Sequence, residues 1–296
     1  MRRLCQDVCG RTVRMKLAQV RADAGVAVAI RENGGYRLLE SPSMNALLAV
    51  ADASGTSLAD VAAEAASDGW RDDVDLLLPL EPAEVWACGC TYAPSADFRD
   101  GELGTRDGMY SYVHKQENRP EIFFKGTSRV CVGSGERIGI RRDSAFTAPE
   151  PELGVVIGAS GRILAYTLGN DVSAWDIERE NALYLPQSKV YDACCSLGPV
   201  LVTPDEVPDP YSLQMSCQIT RDGRETFSGS VSTSKLRRTV EELVDHLTRS
   251  NKVPTPTVVL TGTGIIVEQE SALQPGDVCT ISVPQIGTLS NPAALV

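Results

Sequence analysis

The sequence predicts an α+β fold in two parts: a small N-terminal α+β domain, then a larger mixed, mostly β, barrel-like domain. Three observations predict it. Asn33-Gly34-Gly35 lies between the apolar runs 26–30 and 36–39, the signature of a β-hairpin. Alanines and leucines crowd residues 42–67, which reads as one or two helices joined near Gly55. From about residue 83 the chain turns to short apolar runs separated by Gly and Pro.

Residues 1–14 show no periodicity and are expected to be an extension, with a strand-like run beginning at Met15. The small domain is expected over 15–80, with 72–82 as the connection, and the large domain over 81–296. Strands are expected at 85–88, 122–124, 155–157, 200–202, 213–219, 258–261 and 278–283, with one strong helix at about 234–249. Residues 93–110, with three glycines among charges, are expected to form a mobile loop or lid. The N-terminal 75 residues are expected to cover a β edge or support assembly.

Acids outnumber bases 39 to 28, a formal charge of −11, which argues against binding nucleic acid or anionic lipid. No apolar run approaches the roughly 20 residues of a membrane helix, and nothing apolar follows Met1-Arg2-Arg3 as in a secretory signal. A soluble, cytoplasmic protein is expected. Nine scattered cysteines fit neither a disulfide framework nor a zinc site, so most are expected to be buried thiols.

The chain has two histidines, so any hydrolase of the Ser-His-Asp or Cys-His kind must pass its proton through His114 or His246. His246 falls off the apolar stripe of its helix, and His114 sits in a polar stretch as a surface or lid residue. Acid–base work is therefore expected of carboxylates or a lysine.

Glu150 and Glu152 precede an apolar strand, and Pro149 and Pro151 keep that segment extended. Alternate side chains of a strand share a face at roughly 7 Å, so both carboxylates can converge on one hard cation; two solvated acids would show the same spacing. Asp171 follows an apolar run and precedes an expected helix, where it would serve either the same cation or as a helix cap. Lys189 lies among neutral and apolar residues; exposed it is ordinary, while desolvated its pKa would fall and make it a base.

Taken together, Glu150-x-Glu152-Leu-x-x-Val-Ile, Asn170-Asp171-Val-Ser-Ala, Gln187-Ser-Lys189, Leu197-Gly-Pro199, Leu260-Thr-Gly-Thr263-Gly and Pro275-Gly-Asp277 resemble the fumarylacetoacetate hydrolase superfamily over about 83–294. The resemblance implies a mixed β-roll around a divalent metal, usually Mg²⁺ with Mn²⁺ or Ca²⁺ as substitutes, held by Glu150, Glu152 and Asp171. It also implies a small 2-oxo acid substrate and a homodimer, or a tetramer built from dimers. Arg119-Pro-Glu121-Ile-Phe-Phe-Lys125, residues 180–189 and 193–199 resemble more closely the branch that dehydrates 2-keto-3-deoxy-D-arabinonate. That branch implies Glu121 and Lys189 as catalytic residues, with Tyr92, Lys125, Gln187 and Thr263 as candidate substrate contacts. Ser95 stands where hydrolase relatives carry a lid histidine, Trp175 where relatives carry arginine, and residues 93–110 scarcely match.

The expected chemistry is dehydration of a 2-keto-3-deoxy sugar acid through an enolate, giving 2,5-dioxopentanoate from a pentonate. Neutral Lys189 would take the C3 proton and protonated Glu121 would give one to the C4 hydroxyl, or the two roles exchange. An acylpyruvate-type hydrolase, an oxaloacetate-type decarboxylase and a silent metal-binding protein are the alternatives.

Overall fold

The hairpin forms where the sequence places Asn33 and Gly34. Both have positive φ, 49° and 82°, as a tight two-residue turn between right-twisted strands requires. The turn joins β2 (Gly25–Glu32) to β3 (Gly35–Leu39), and β1 (Lys16–Ala22) pairs with β2 on the other side. The structure, a computed structural model, describes residues 15–22, 25–103, 108–116 and 118–296, so the expected extension with Cys5 and Cys9 lies outside the described residues.

Two helices follow, α1 (Met44–Ser54) and α2 (Leu58–Glu64), capped by Ser43 and Ser57. Gly55 separates them in the left-handed conformation, φ 73°. Strand β4 (Ala66–Arg71) then returns to pair with β3.

After β5 (Glu84–Gly89) come residues 93–110, expected from the sequence as a mobile loop or lid. They contain α3 (Ala93–Leu103) and the start of α4 (Met109–Lys115). Asp100 joins the two: its carboxylate accepts from the backbone N–H of Tyr110 (3.0 Å) and Ser111 (2.8 Å), giving α4 the N-terminal partner that Gly108 cannot supply. Few apolar residues mark this pair; Ala96, Tyr110 and Cys90 form its small core.

The remaining elements are β6 (Glu121–Gly126), β7 (Cys131–Val132), β8 (Ile138–Ile140), β9 (Thr147–Ala148), β10 (Pro151–Ile157), β11 (Ile163–Asp171) and β12 (Ser173–Ala174). Next come α5 (Trp175–Glu180), α6 (Leu185–Lys189), β13 (Cys195–Val202), β14 (Gln214–Arg221) and β15 (Arg224–Ser232). The chain closes with α7 (Val240–Thr248), β16 (Thr257–Leu260), β17 (Val278–Val283) and β18 (Gly287–Leu295). Helix α7 is shorter than the expected 234–249. Thr239 is extended, and its hydroxyl accepts from Glu242 N (3.1 Å), so the helix can begin only at Val240.

Among the described residues the strands form an eleven-stranded sheet in the order β4-β3-β2-β1-β13-β11-β10-β16-β5-β6, with β7 beside β13. The N-terminal strands thus continue the later sheet through the β1–β13 pairing. Period-two alternation divides its side chains between two cores. Val156, Val258 and Leu260 pack with Leu47, Leu48 and Leu58 of α1 and α2; Val155 and Val259 pack with Met215, Ile281 and Leu289 of the second sheet, β15-β14-β17-β18-β8. No single helix among the described residues is long and apolar enough to cross a membrane. The seven described cysteines are free thiols, and six are buried.

Candidate active site

Glu150 and Asp171 are brought together by the β10–β11 pairing. Pro151 lies opposite Asn170, so the residues just beyond them meet; Asp171 N donates to Glu150 O (3.0 Å), and Glu150 N donates to Asn170 Oδ1 (3.0 Å). Strand alternation puts Glu152 on the side of Glu150. The result is a buried triad in which one carboxylate oxygen from each of Glu150, Glu152 and Asp171 lies within 4.8 Å of the others. Asp171 ends β11 rather than opening a helix; α5 begins only at Trp175, so the helix-cap reading does not hold.

Gly262, two residues beyond the end of β16, anchors the triad. Its N–H donates to Glu152 Oε2 (2.6 Å), its φ is +91°, and a Cβ there would overlap the Thr91 hydroxyl. A glycine is therefore required by both conformation and space.

Two lysines complete this end. Lys125, from β6, has no solvent exposure; Nζ lies 2.5 Å from Asp171 Oδ1 and donates to the carbonyls of Val172 (3.0 Å) and Lys189 (2.6 Å). Lys189, at the end of α6, donates to both Glu150 oxygens (2.9 Å each), Asp171 Oδ2 (3.2 Å) and Ser173 Oγ (2.7 Å). Burial alone would lower the Lys189 pKa, but Asp171 and Glu150 outweigh it and hold the ammonium above its ordinary range. Of the two states the sequence leaves open for this lysine, its surroundings, apolar in sequence and acidic in space, favour the ammonium.

The carboxylates divide. Burial pushes Glu152 well above the ordinary range, reinforced by the charges of Asp171 and Glu150, and burial raises Glu150 despite Lys189. Asp171 is also raised by burial but falls below its ordinary value because Lys125 and Lys189 face it. Three buried carboxylates against two lysines leave one unmatched negative charge, and every donor is oxygen. That set fits a hard divalent cation such as Mg²⁺.

The other end of the site is made by the helix pair α3–α4. Arg99 of α3 grips Glu121, at the start of β6, with two bonds: Nη1 to Oε2 (2.7 Å) and Nη2 to Oε1 (3.1 Å). The same guanidinium lies 2.5 Å from Glu178 of α5 and 3.9 Å from the Tyr110 ring centroid. The Cys90 thiol donates to Glu121 Oε2 (3.2 Å). Burial raises the Glu121 pKa, but Arg99 more than reverses it and holds the carboxyl below its ordinary range. Gly89 makes room, because a Cβ there would overlap the Glu121 carboxylate.

Between the ends lies a small, largely enclosed cavity lined by Gly89, Ser95, Arg99, Glu150, Lys189 and Thr263, with Trp175 and Phe123 on its apolar wall. Trp175 meets Phe98 of α3 edge-to-face at 5.3 Å, fastening the helix over the cavity. His114 of α4 lies outside the lining and donates from Nδ1 to Cys90 O (2.7 Å). His246 is half-buried on the flank of α7, away from the site.

Of the candidate substrate contacts, Thr263 faces the cavity. Lys125 is committed to Asp171 and two carbonyls, Gln187 is exposed on α6, and Tyr92 is buried against Gly264 and the charge of Glu152. Sequence reasoning missed Arg99, Glu178, Ser173 and Gly89. The spacing of Ser95 and Arg99, one helical turn apart, could have placed both on one face of a lid helix.

Carboxylate oxygens, a buried lysine and a cavity closed by helices define a metal-dependent enzyme. The chain belongs to the fumarylacetoacetate hydrolase family: residues 101–294 match the family model described as fumarylacetoacetate (FAA) hydrolase C-terminal. It is 46% identical over 226 residues to 2-dehydro-3-deoxy-D-arabinonate dehydratase of Saccharolobus solfataricus, covering 75% of each chain. It is also 46% identical over 257 residues to a probable 2-keto-3-deoxyxylonate dehydratase of Haloferax volcanii, covering 84% of this chain and 87% of that one. Among solved structures it resembles 2-keto-3-deoxy-D-arabinonate dehydratase complexed with magnesium and 2,5-dioxopentanoate, with a TM-score of 0.82, 37% identity and coverage of 95% and 99%.

Proposed function

We propose that this protein is a Mg²⁺-dependent hydro-lyase that removes water from a 2-keto-3-deoxy sugar acid of the arabinonate or xylonate type, giving 2,5-dioxopentanoate. The observation that carries the reading is a triad of converging carboxylates with Lys189, set beside a small cavity that Glu150 and Lys189 line together with Arg99, the arginine that holds Glu121. The likeness to enzymes named for this reaction supports it.

Glu150, Glu152 and Asp171 would hold the cation, whose Lewis-acid charge draws electron density from the substrate's 2-oxo group and acidifies C3. Lys189 and Glu121 are the proton-moving pair. With the charges found here, the Glu121 carboxylate accepts the C3 proton and the Lys189 ammonium donates one to the C4 oxygen, which leaves as water. This is the second of the two assignments that the sequence leaves open. Elimination leaves a C3=C4 double bond conjugated to the 2-oxo group; loss of a C5 proton and gain of one at C3 convert it to the C4=C5 enol, which ketonises to the C5 aldehyde. The apolar wall of Trp175 and Phe123, with α3 above it, excludes bulk water and favours elimination over hydrolysis. We read the assembly as a homodimer or a tetramer of dimers in the cytoplasm, which light scattering and fractionation would check.

The direct test is incubation with Mg²⁺ and a panel of 2-keto-3-deoxypentonates, acylpyruvates and oxaloacetate, with products identified by NMR and mass. Loss of one water with a new aldehyde, abolished by EDTA, is expected. Pyruvate plus a carboxylic acid, or released CO₂, would replace this reading with a hydrolase or decarboxylase; no turnover would favour a silent metal-binding protein.

A further inference from the structure

The proton-moving carboxylate does not hold itself in place. Glu121 is gripped through both oxygens by Arg99, which sits on α3 and not on the strand that carries Glu121. Four elements meet at this guanidinium: α3 carries it, α4 lays Tyr110 against its face, β6 brings Glu121, and α5 brings Glu178 from behind. Arg99 is 5% exposed and Glu178 1%. Among the described residues Arg99 Nε and both Glu178 oxygens have no hydrogen-bond partner, so the ion pair works by charge and packing at its rear and by a directional fork toward Glu121. Gly89 reserves the space in which that fork closes.

Burying two carboxylates without a cation is unfavourable, so α3 can settle over the cavity only when it brings Arg99 between Glu121 and Glu178. We propose that Arg99 is a positioning residue for the dehydration, a latch on α3 that aims the Glu121 carboxylate at the substrate only when the helix pair is shut. This rests on the proton-transfer role given to Glu121 above. Closure and catalytic competence are then one event: with α3 lifted, Glu121 loses the fork that orients it.

The test uses the full-length, Mg²⁺-loaded protein and the variants Arg99→Ala and Arg99→Lys. For Arg99→Ala, kcat is expected to fall about 100-fold, as misplacement of a reacting group by roughly 1 Å does. KM should change much less, and Mn²⁺ affinity measured by EPR should be unchanged. Added guanidinium, but not the same concentration of NaCl, should restore much of the lost kcat, a response that a merely structural residue would not give. Arg99→Lys keeps the charge without the fork, so it should retain closure, read as amide exchange over residues 93–103, yet recover little kcat. Wild-type kcat in Arg99→Ala, a parallel loss of Mn²⁺ binding, or rescue equally by NaCl would overturn the proposal. Should the wild type dehydrate none of the sugar acids, the proposed function fails separately. The exchange readout still judges the latch: unchanged exchange over 93–103 in Arg99→Ala would overturn it, and faster exchange would retain it.

Discussion

The two ends of the cavity are both made of buried charge, yet they are held by different kinds of scaffold. At the metal end Glu152 and Asp171 sit on paired central strands, Glu150 stands just ahead of one of them, and Lys125 comes from β6. At the other end Arg99 and Glu178 come from short helices, and they join Glu121 only because α3 lies across the cavity. The sheet preorganises its ligands before anything binds, while the helix end must be assembled by closure. On the proposed reading, the difference places the cation and the Lys189 ammonium on one end and leaves the aim of the Glu121 carboxylate to the other.

The largest effect that would sharpen this contrast is expected from Asp171→Asn. Outer partners of metal ligands alone are worth 10–100-fold in affinity, so losing a ligand should weaken Mn²⁺ binding by more than about 100-fold and abolish turnover, read by EPR titration and product NMR. Lys189→Met should abolish turnover while sparing Mn²⁺ binding; near-wild-type turnover would remove Lys189 from the mechanism. Lys125→Met should act through stability, because it leaves Asp171 buried beside the other two carboxylates without its closest cation. A loss of about 3–5 kcal/mol is expected in urea unfolding of the metal-free protein, in part recovered by Mg²⁺. Gly89→Ala would press a methyl group into the Glu121 carboxylate and should lower kcat roughly 10- to 100-fold with Mn²⁺ affinity intact. A loss of metal binding in that variant would break the division between the ends.

A smaller effect follows from proton linkage. Glu150 and Glu152 have raised pKa values in the metal-free fold, so their ionisation costs stability, and that cost disappears as pH falls from neutrality through their folded values. The metal-free thermal midpoint should therefore rise on mild acidification, and saturating Mg²⁺ should remove the rise. Below about 4.5 the trend reverses, because Glu121 and Asp171, lowered in the fold, lose the charge that stabilises them. Least is expected from Gln187→Ala, an exposed position: within about 0.5 kcal/mol of wild-type stability, with unchanged KM.

What was legible in the sequence follows the same division. Glu150 and Glu152 could be paired from their spacing because a strand imposes period two, and Asn33-Gly34 could be read as a hairpin because few residues accept two positive φ angles in succession. The candidate metal ligands therefore emerged from local rules together with a family resemblance. Arg99 obeys no such rule. Its partners Glu121 and Glu178 lie 22 and 79 residues away in sequence, and helix α3 is too polar to announce a buried face. Lys189 shows the same gap: its sequence neighbours are neutral, while Glu150 and Asp171 reach it across the fold and reverse the direction of its pKa shift. Lys125 was read as a substrate contact, but it pairs with Asp171 and does not line the cavity. Long-range ion pairs, not local propensities, decide those roles.

The most direct test of the division between the two ends is Mn²⁺ titration by EPR of Glu121→Gln, set beside its rate of aldehyde formation from a 2-keto-3-deoxypentonate. Wild-type Mn²⁺ affinity with no detectable aldehyde is the expected result. Weakened Mn²⁺ binding, or aldehyde formed at the wild-type rate, would contradict the account.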